Sequence, residues 1–195
     1  MEKEFTQEQS LEMIQSMISI SRQNFREGGF YYILWGSLFF LAAIAQYILY
    51  SVYSSDLHWM SWLVAGALAL LIGIVLMATR KRTARVRTYI DRMNFYLWTA
   101  FVICIIFIGF LASQRQVSQI QVNPLIIMLY GFATFISGGM LRFKWLIAGA
   151  IAAWIIAVIS VFQDYGTQML LVAVTILLSY LIPGILLNYT KEEHV

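Results

Sequence analysis

The sequence predicts an all-α, polytopic membrane protein: six transmembrane helices preceded by a cytoplasmic amphipathic helix. Three observations predict it. Hydrophobic residues make up 61% of the 195 residues and charged residues 12%, against about 45–50% and about 25% in soluble domains. Six apolar runs of spanning length contain no Lys, Arg, Asp or Glu. The basic residues fall almost entirely on one side of those runs. Composition therefore excludes an ordinary soluble enzyme and a disordered chain, because too few charges exist to cover a water-facing surface. A disulfide scaffold is excluded too, since the single Cys104 has no partner in the chain.

Residues 6–27 read as a helix. Thr6 followed by Gln9 fits a capping box. At 100° per residue, Leu11, Met13, Ile14, Met17, Ile18, Ile20 and Phe25 fall on one half of the wheel. Glu8, Glu12, Gln15, Ser16, Ser19, Arg22, Gln23 and Arg26 fall on the other. Acids and bases mix on that polar face, so lipid electrostatics adds little. Three readings stay open: packing against the protein's own cytoplasmic loops, flat anchoring on the membrane, and docking of a partner or a second copy. Gly28-Gly29 then reads as a flexible elbow.

The six spans read as Phe30–Tyr50, Trp59–Ala78, Phe95–Ala112, Pro124–Leu141, Trp145–Phe162 and Thr167–Leu187. Runs of about 18–22 residues cover about 27–33 Å at 1.5 Å per residue, the thickness of the hydrocarbon layer. The runs do not alternate polar with apolar, which argues against barrel strands. This divides the chain into residues 1–29 (amphipathic helix and elbow), 30–189 (transmembrane domain) and 190–195 (cytoplasmic tail).

Orientation follows from the bases. Lys3, Arg22 and Arg26 precede the first span, Arg142 and Lys144 join the fourth to the fifth, and Lys191 lies in the tail. Arg80, Lys81, Arg82, Arg85, Arg87 and Arg92 join the second to the third. Only Arg115 lies on the opposite side, with Asp56 and Asp164. Both termini are then expected in the cytoplasm. The polar start shows no cleavable signal peptide. Aromatic residues near the span ends, among them Tyr31, Tyr32, Trp35, Trp59, Trp62 and Trp98, read as interface anchors. The six bases from Arg80 to Arg92 read first as a topology signal, and second as a contact for lipid headgroups or an acidic partner. Their juxtamembrane position accounts for the charge, so no nucleic-acid partner is expected.

Packing signals lie in the second and fifth spans. Ser61, Ala65, Ala69 and Gly73, and likewise Gly149, Ala153 and Ala157, place small residues at four-residue spacing. Residues 62–69 and 145–152 are identical at six of eight positions. This hints at an inverted three-plus-three repeat; a rival match of 30–35 with 95–98 implies a parallel one. Pro183 with Gly184 should kink the sixth span, leaving the Ser179 carbonyl without its usual donor. Asn123-Pro124 reads as a helix cap and first turn.

Chemistry is sparse. The spans offer Gln46, Cys104, hydroxyls and tyrosines, with no paired carboxylate, nucleophile–base set or phosphate loop. His58 and His194 lie far apart in sequence, and no metal-ligand spacing occurs. No catalytic residue, cofactor or metal is predicted. Asp91, Asp164 and His58 are the only groups placed to serve a lipid-modifying enzyme.

The stretch Leu129 to Gly139, continued by Leu141-Arg142-Phe143-Lys144, resembles small six-span membrane proteins of Bacteroidota. Ser10 to Ile14, Arg26-Glu27-Gly28 and Tyr31-Tyr32 are similar to that group as well. The resemblance implies a bacterial inner-membrane location and carries no activity.

Two functions are expected. One is a non-enzymatic accessory or regulatory membrane component, working through its cytoplasmic face on a protein partner or a second copy. The other is an uncoupled facilitator of a small neutral or amphiphilic solute, with Gln46, Tyr130, Ser137 and Tyr180 bordering a polar cavity.

Overall fold

The computed structural model describes residues 7–79 and 89–189, with side chains of the first helix from Gly29 onward. The described residues are all-helical. The helices are α1 (Gln7–Ser51), α2 (Met60–Thr79), α3 (Tyr89–Ser113), α4 (Gln119–Leu141), α5 (Lys144–Ser160), α6 (Tyr165–Ile176) and α7 (Ile182–Tyr189). A π turn, Leu177–Leu181, joins α6 to α7. Four helical segments are long and apolar enough to cross a membrane: Gly29–Ser51, Arg92–Ser113, Gln119–Leu141 and Tyr165–Leu187. Met60–Leu76 and Lys144–Ser160 are apolar but shorter.

The α6–π–α7 helix is the hub. It packs on α1, α4 and α5, and α4 lies along α5. The two remaining helices are flanks: α2 rests on α1, and α3 rests on α4. Only 6% of the α3 span is buried, against 50% of the α6–α7 span. The outer faces carry Leu63, Leu70, Leu71 and Ile74 on α2, and Ile103, Ile106, Phe107 and Phe110 on α3. Such a continuous apolar surface far exceeds what a water-soluble monomer leaves open; hydrocarbon is its natural solvent.

Small residues set the close approaches. A Cβ on Gly149 would lie 2.8 Å from the Leu178 carbonyl oxygen and from Ser179 Cα. Ser179 Oγ donates to the Gly149 carbonyl at 2.7 Å, and Ala150, Ala153 and Ala157 are buried on the same helix. A Cβ on Gly184 would lie 2.8 Å from Tyr32 Cβ, which lets α7 meet α1. The stripe on α2 faces α1 more loosely: Ala65 is buried, yet nothing lies within 4 Å of a Cβ on Gly66 or Gly73. Gly66 and Gly149 hold the same place in the two similar octets, and their surroundings are opposite. The octets do not mark equivalent packing positions.

Two local expectations change, and a third gains a detail. Gly28 and Gly29 form no elbow, because α1 is helical on both sides and through them. Two glycines cost a helix about 1 kcal/mol each, less than the long apolar helix around them supplies. Helix α4 starts five residues before Pro124, not at it. Ser118 is its N-cap, and the Gln121 side chain accepts from the Ser118 backbone N–H at 3.2 Å. Asn123 is buried inside the helix rather than capping it. Pro183 is met by the π turn just before it, where the Ile182 N–H pairs with the Leu177 carbonyl. The wider turn absorbs the missing donor within a continuous helix.

Candidate functional site

Two polar clusters interrupt the apolar bundle, one toward each end. The first lies where α1 and α3 begin their spans and α4 and α7 end theirs. Tyr32 and Tyr180 bring their ring centroids to 4.5 Å. Trp98 meets Tyr180 at 5.4 Å and Tyr130 at 6.2 Å, both edge to face. Tyr130 and Tyr180 are 5.8 Å apart, and Phe101 closes the group against Tyr130 at 5.6 Å. Offset and edge contacts of this kind suit the ring quadrupoles. Asn94 Oδ1 accepts from Trp98 Nε1 at 3.2 Å and from Ser137 Oγ at 3.3 Å. Tyr32, Tyr130, Ser137 and Tyr180 are all buried.

Three of the four residues expected to border a cavity thus meet: Tyr130, Ser137 and Tyr180. Gln46 does not join them. It lies fourteen residues beyond Tyr32 on α1, about 21 Å along the axis, in the second cluster. There Trp62 Nε1 donates to Gln46 Oε1 at 2.7 Å. An indole N–H only donates, so this contact fixes which end of the amide is oxygen. The amide nitrogen therefore faces His58, 3.5 Å from Nδ1, and Nδ1 must be the accepting nitrogen. The His58 ring also meets Tyr50 at 5.4 Å and Tyr165 at 5.8 Å. The cluster pins the α1–α2 turn against the start of α6.

Tyr32, Asn94 and Trp98 escape sequence reading. Tyr32 and Trp98 sit near span ends, where an aromatic residue reads as an interface anchor. Asn94 and Trp98 stand four residues apart, the spacing that places two side chains on one helix face; that is the one signal available. Of the basic connection, Arg80, Lys81, Arg82, Arg85 and Arg87 lie outside the described residues. Arg92 is exposed at the start of the α3 span, at the same end as exposed Arg142 and Lys144. The Asp91 side chain is likewise outside the description. Asp164 caps α6, accepting from the Thr167 N–H at 3.0 Å and the Thr167 hydroxyl at 2.6 Å.

Among the described residues, two groups outside the spans are shifted from their ordinary ranges. Burial pushes the His58 imidazole down, with the Asp56 carboxylate pulling weakly the other way. The Thr167 hydrogen bonds hold the Asp164 carboxyl below the usual carboxylate range. For His58 the unfolded chain takes a proton near about 6.5 while the folded chain resists it. Its contribution is full above that pH and is lost as pH falls. Asp164 contributes above about 3.9 and loses its effect only at lower pH. The melting temperature should therefore drop between pH 8 and pH 5, and His58→Gln should flatten that drop. An unchanged slope in the variant would contradict the His58 assignment.

The first cluster consists of hydroxyls, an amide, an indole and rings, groups that hydrogen-bond and stack. Among the described residues, no three His, Cys, Asp or Glu side chains come together as a metal site. Comparison with protein-family models, curated proteins and solved structures returned no match.

Proposed function

We propose that the chain is a non-enzymatic accessory or regulatory component of a bacterial inner membrane, working through its cytoplasmic face. It crosses six times, the two shorter helices included, with both termini in the cytoplasm. Seventeen helical residues cover about 25 Å, near the lower limit for a span. The asymmetry of the bases supports the orientation.

The observation that carries the reading is the continuity of α1. Its span begins at Gly29, yet the helix begins at Gln7. Residues 7–28 extend the spanning helix by about 33 Å. A helix continuous with a span leaves the bilayer along the span's direction, which disfavours flat anchoring. The amphipathic pattern then offers an apolar face, with Met13, Met17 and Ile14 as adaptable contacts, to a membrane or cytoplasmic protein or to a second copy. The bases from Arg80 to Arg92, assigned to the same side of the membrane by their charge, would offer contacts for anionic lipid or an acidic partner. The alternative, a solute facilitator, asks for an open polar path; the ring-to-ring packing of Tyr32, Trp98, Tyr130 and Tyr180 gives it no support.

Crosslinking and pulldown from native membranes test this. The full chain should retain a specific partner, and a chain lacking residues 1–27 should insert but lose it. A complex that survives the deletion contradicts the proposal.

A further inference from the structure

We propose that the turn between α1 and α2 is a proton-operated latch: a proton on His58 Nδ1 breaks the chain of hydrogen bonds that ties α2 to α1. His58 travels with α2, because its carbonyl accepts from Ser61 Oγ at 3.0 Å in the first turn of that helix. Its ring reaches back to α1, with Nδ1 3.5 Å from Gln46 Nε2. The other end of the same amide, Gln46 Oε1, accepts from Trp62 Nε1 at 2.7 Å. One buried α1 side chain thus holds α2 at two points. Among the described residues, α2 approaches α1 and no other helix, so no second helix keeps it in place when the amide lets go.

The amide can serve both partners in one orientation only. An indole N–H donates and never accepts, so the oxygen belongs to Trp62. The amide nitrogen brings its own hydrogens to His58, and Nδ1 must offer a lone pair. A proton on Nδ1 sets donor against donor. Turning the amide over would serve the imidazolium but bring its N–H groups against the Trp62 indole N–H. Either orientation leaves a donor facing a donor, and buried donors without acceptors are costly. Separation of α2 from α1 relieves the conflict.

The groups around the imidazole set when the latch opens. Tyr50 on α1 meets the ring at 5.4 Å and Tyr165 on α6 at 5.8 Å, both edge to face. Asp56 stands in the same turn and pulls toward the protonated form, while burial pushes the other way and is the larger effect. Asp164, next to Tyr165, is committed to Thr167. The latch therefore stays closed at neutral pH and opens as pH falls below about 6.5, the ordinary histidine value. His58 is only half-buried, so water delivers the proton directly. In the proposed topology this turn faces outward, and acid outside the membrane is the signal.

The test uses the full chain in lipid nanodiscs, titrated from pH 8 to pH 5. Spin labels on Leu63→Cys in α2 and Phe162→Cys after α5, both exposed positions, report the place of α2 in a Cys104→Ser chain. A second, displaced distance population should grow as His58 titrates, with the His58 ring followed by NMR. It should be absent in His58→Phe, which keeps a ring against Tyr50 and Tyr165 and takes no proton. Trp62→Phe supplies the independent check. Without the indole N–H the amide is free to turn its oxygen to the imidazolium, so the His58 midpoint should rise by about one pH unit, a tenfold gain in proton affinity. A distance that does not change while His58 titrates, a change that persists in His58→Phe, or an unmoved midpoint in Trp62→Phe would each overturn the proposal.

Discussion

Replacing Gly149 with valine should destabilise the bundle by about 3 kcal/mol or more. A Cβ at this position lies 2.8 Å from the carbonyl oxygen of Leu178 and from the Cα of Ser179. Both are backbone atoms, so no side-chain rotation relieves the clash. Helix α5 must move off the π turn, which breaks the 2.7 Å bond from Ser179 Oγ to the Gly149 carbonyl. It also separates Ala150 and Ala153, both fully buried. The contrast is Gly66→Val, one of the matched positions in the second span. Nothing lies within 4 Å of a Cβ there, so the change should stay within about 0.5 kcal/mol. Denaturant-induced unfolding of the detergent-solubilised protein measures both. Equal effects at the two glycines would contradict the packing described.

Gln46→Leu should cost about 2–3 kcal/mol, the next largest effect. The side chain fits by volume, so the loss is one of hydrogen bonds. The Trp62 indole N–H, 2.7 Å from Gln46 Oε1, would be left without an acceptor in a low-dielectric setting. His58 Nδ1 would lose the facing amide. Among the described residues, α2 has α1 as its one helical neighbour by backbone approach, and beyond this bond it is held by contacts such as the stacking of Phe39 on Trp62 at 6.3 Å. A double-mutant cycle isolates the bond. Trp62→Phe combined with Gln46→Leu should fall short of additivity by about 1 kcal/mol, as neighbours sharing one interaction do. Strict additivity would show that the bond contributes nothing.

Much of the architecture is legible in the sequence because hydrocarbon imposes simple rules. The charge-free run from Phe95 to Ala112 lies inside α3, whose segment Arg92–Ser113 is long and apolar enough to cross a membrane. What the sequence hides depends on who the neighbour is. Two octets differing at two positions read alike, yet Gly149 is pressed against backbone and Gly66 faces open space. Only the tertiary arrangement decides which. Asn123-Pro124 carries a strong cap signal, but Ser118 with Gln121 supplies an earlier one, and helix α4 takes it. Pro183 signals a disturbed helix, and a π turn, which the sequence does not announce, lies immediately before it. In the candidate site, Tyr130, Ser137 and Tyr180 stand out as polar groups within apolar runs. Tyr32 and Trp98 read as interface anchors, because an aromatic residue near a span end turns inward or outward on information its own helix does not carry.

The proposed topology is six spans with both termini on one side of the membrane. Single cysteines introduced in a Cys104→Ser chain test it most directly, labelled in intact cells with a membrane-impermeant maleimide. Ser55→Cys, Gln116→Cys and Gln163→Cys should label from outside. Thr6→Cys, Arg85→Cys and Phe143→Cys should label only after the membrane is permeabilised. Labelling of Arg85→Cys or Phe143→Cys in intact cells, or protection of Gln163→Cys, would contradict the account.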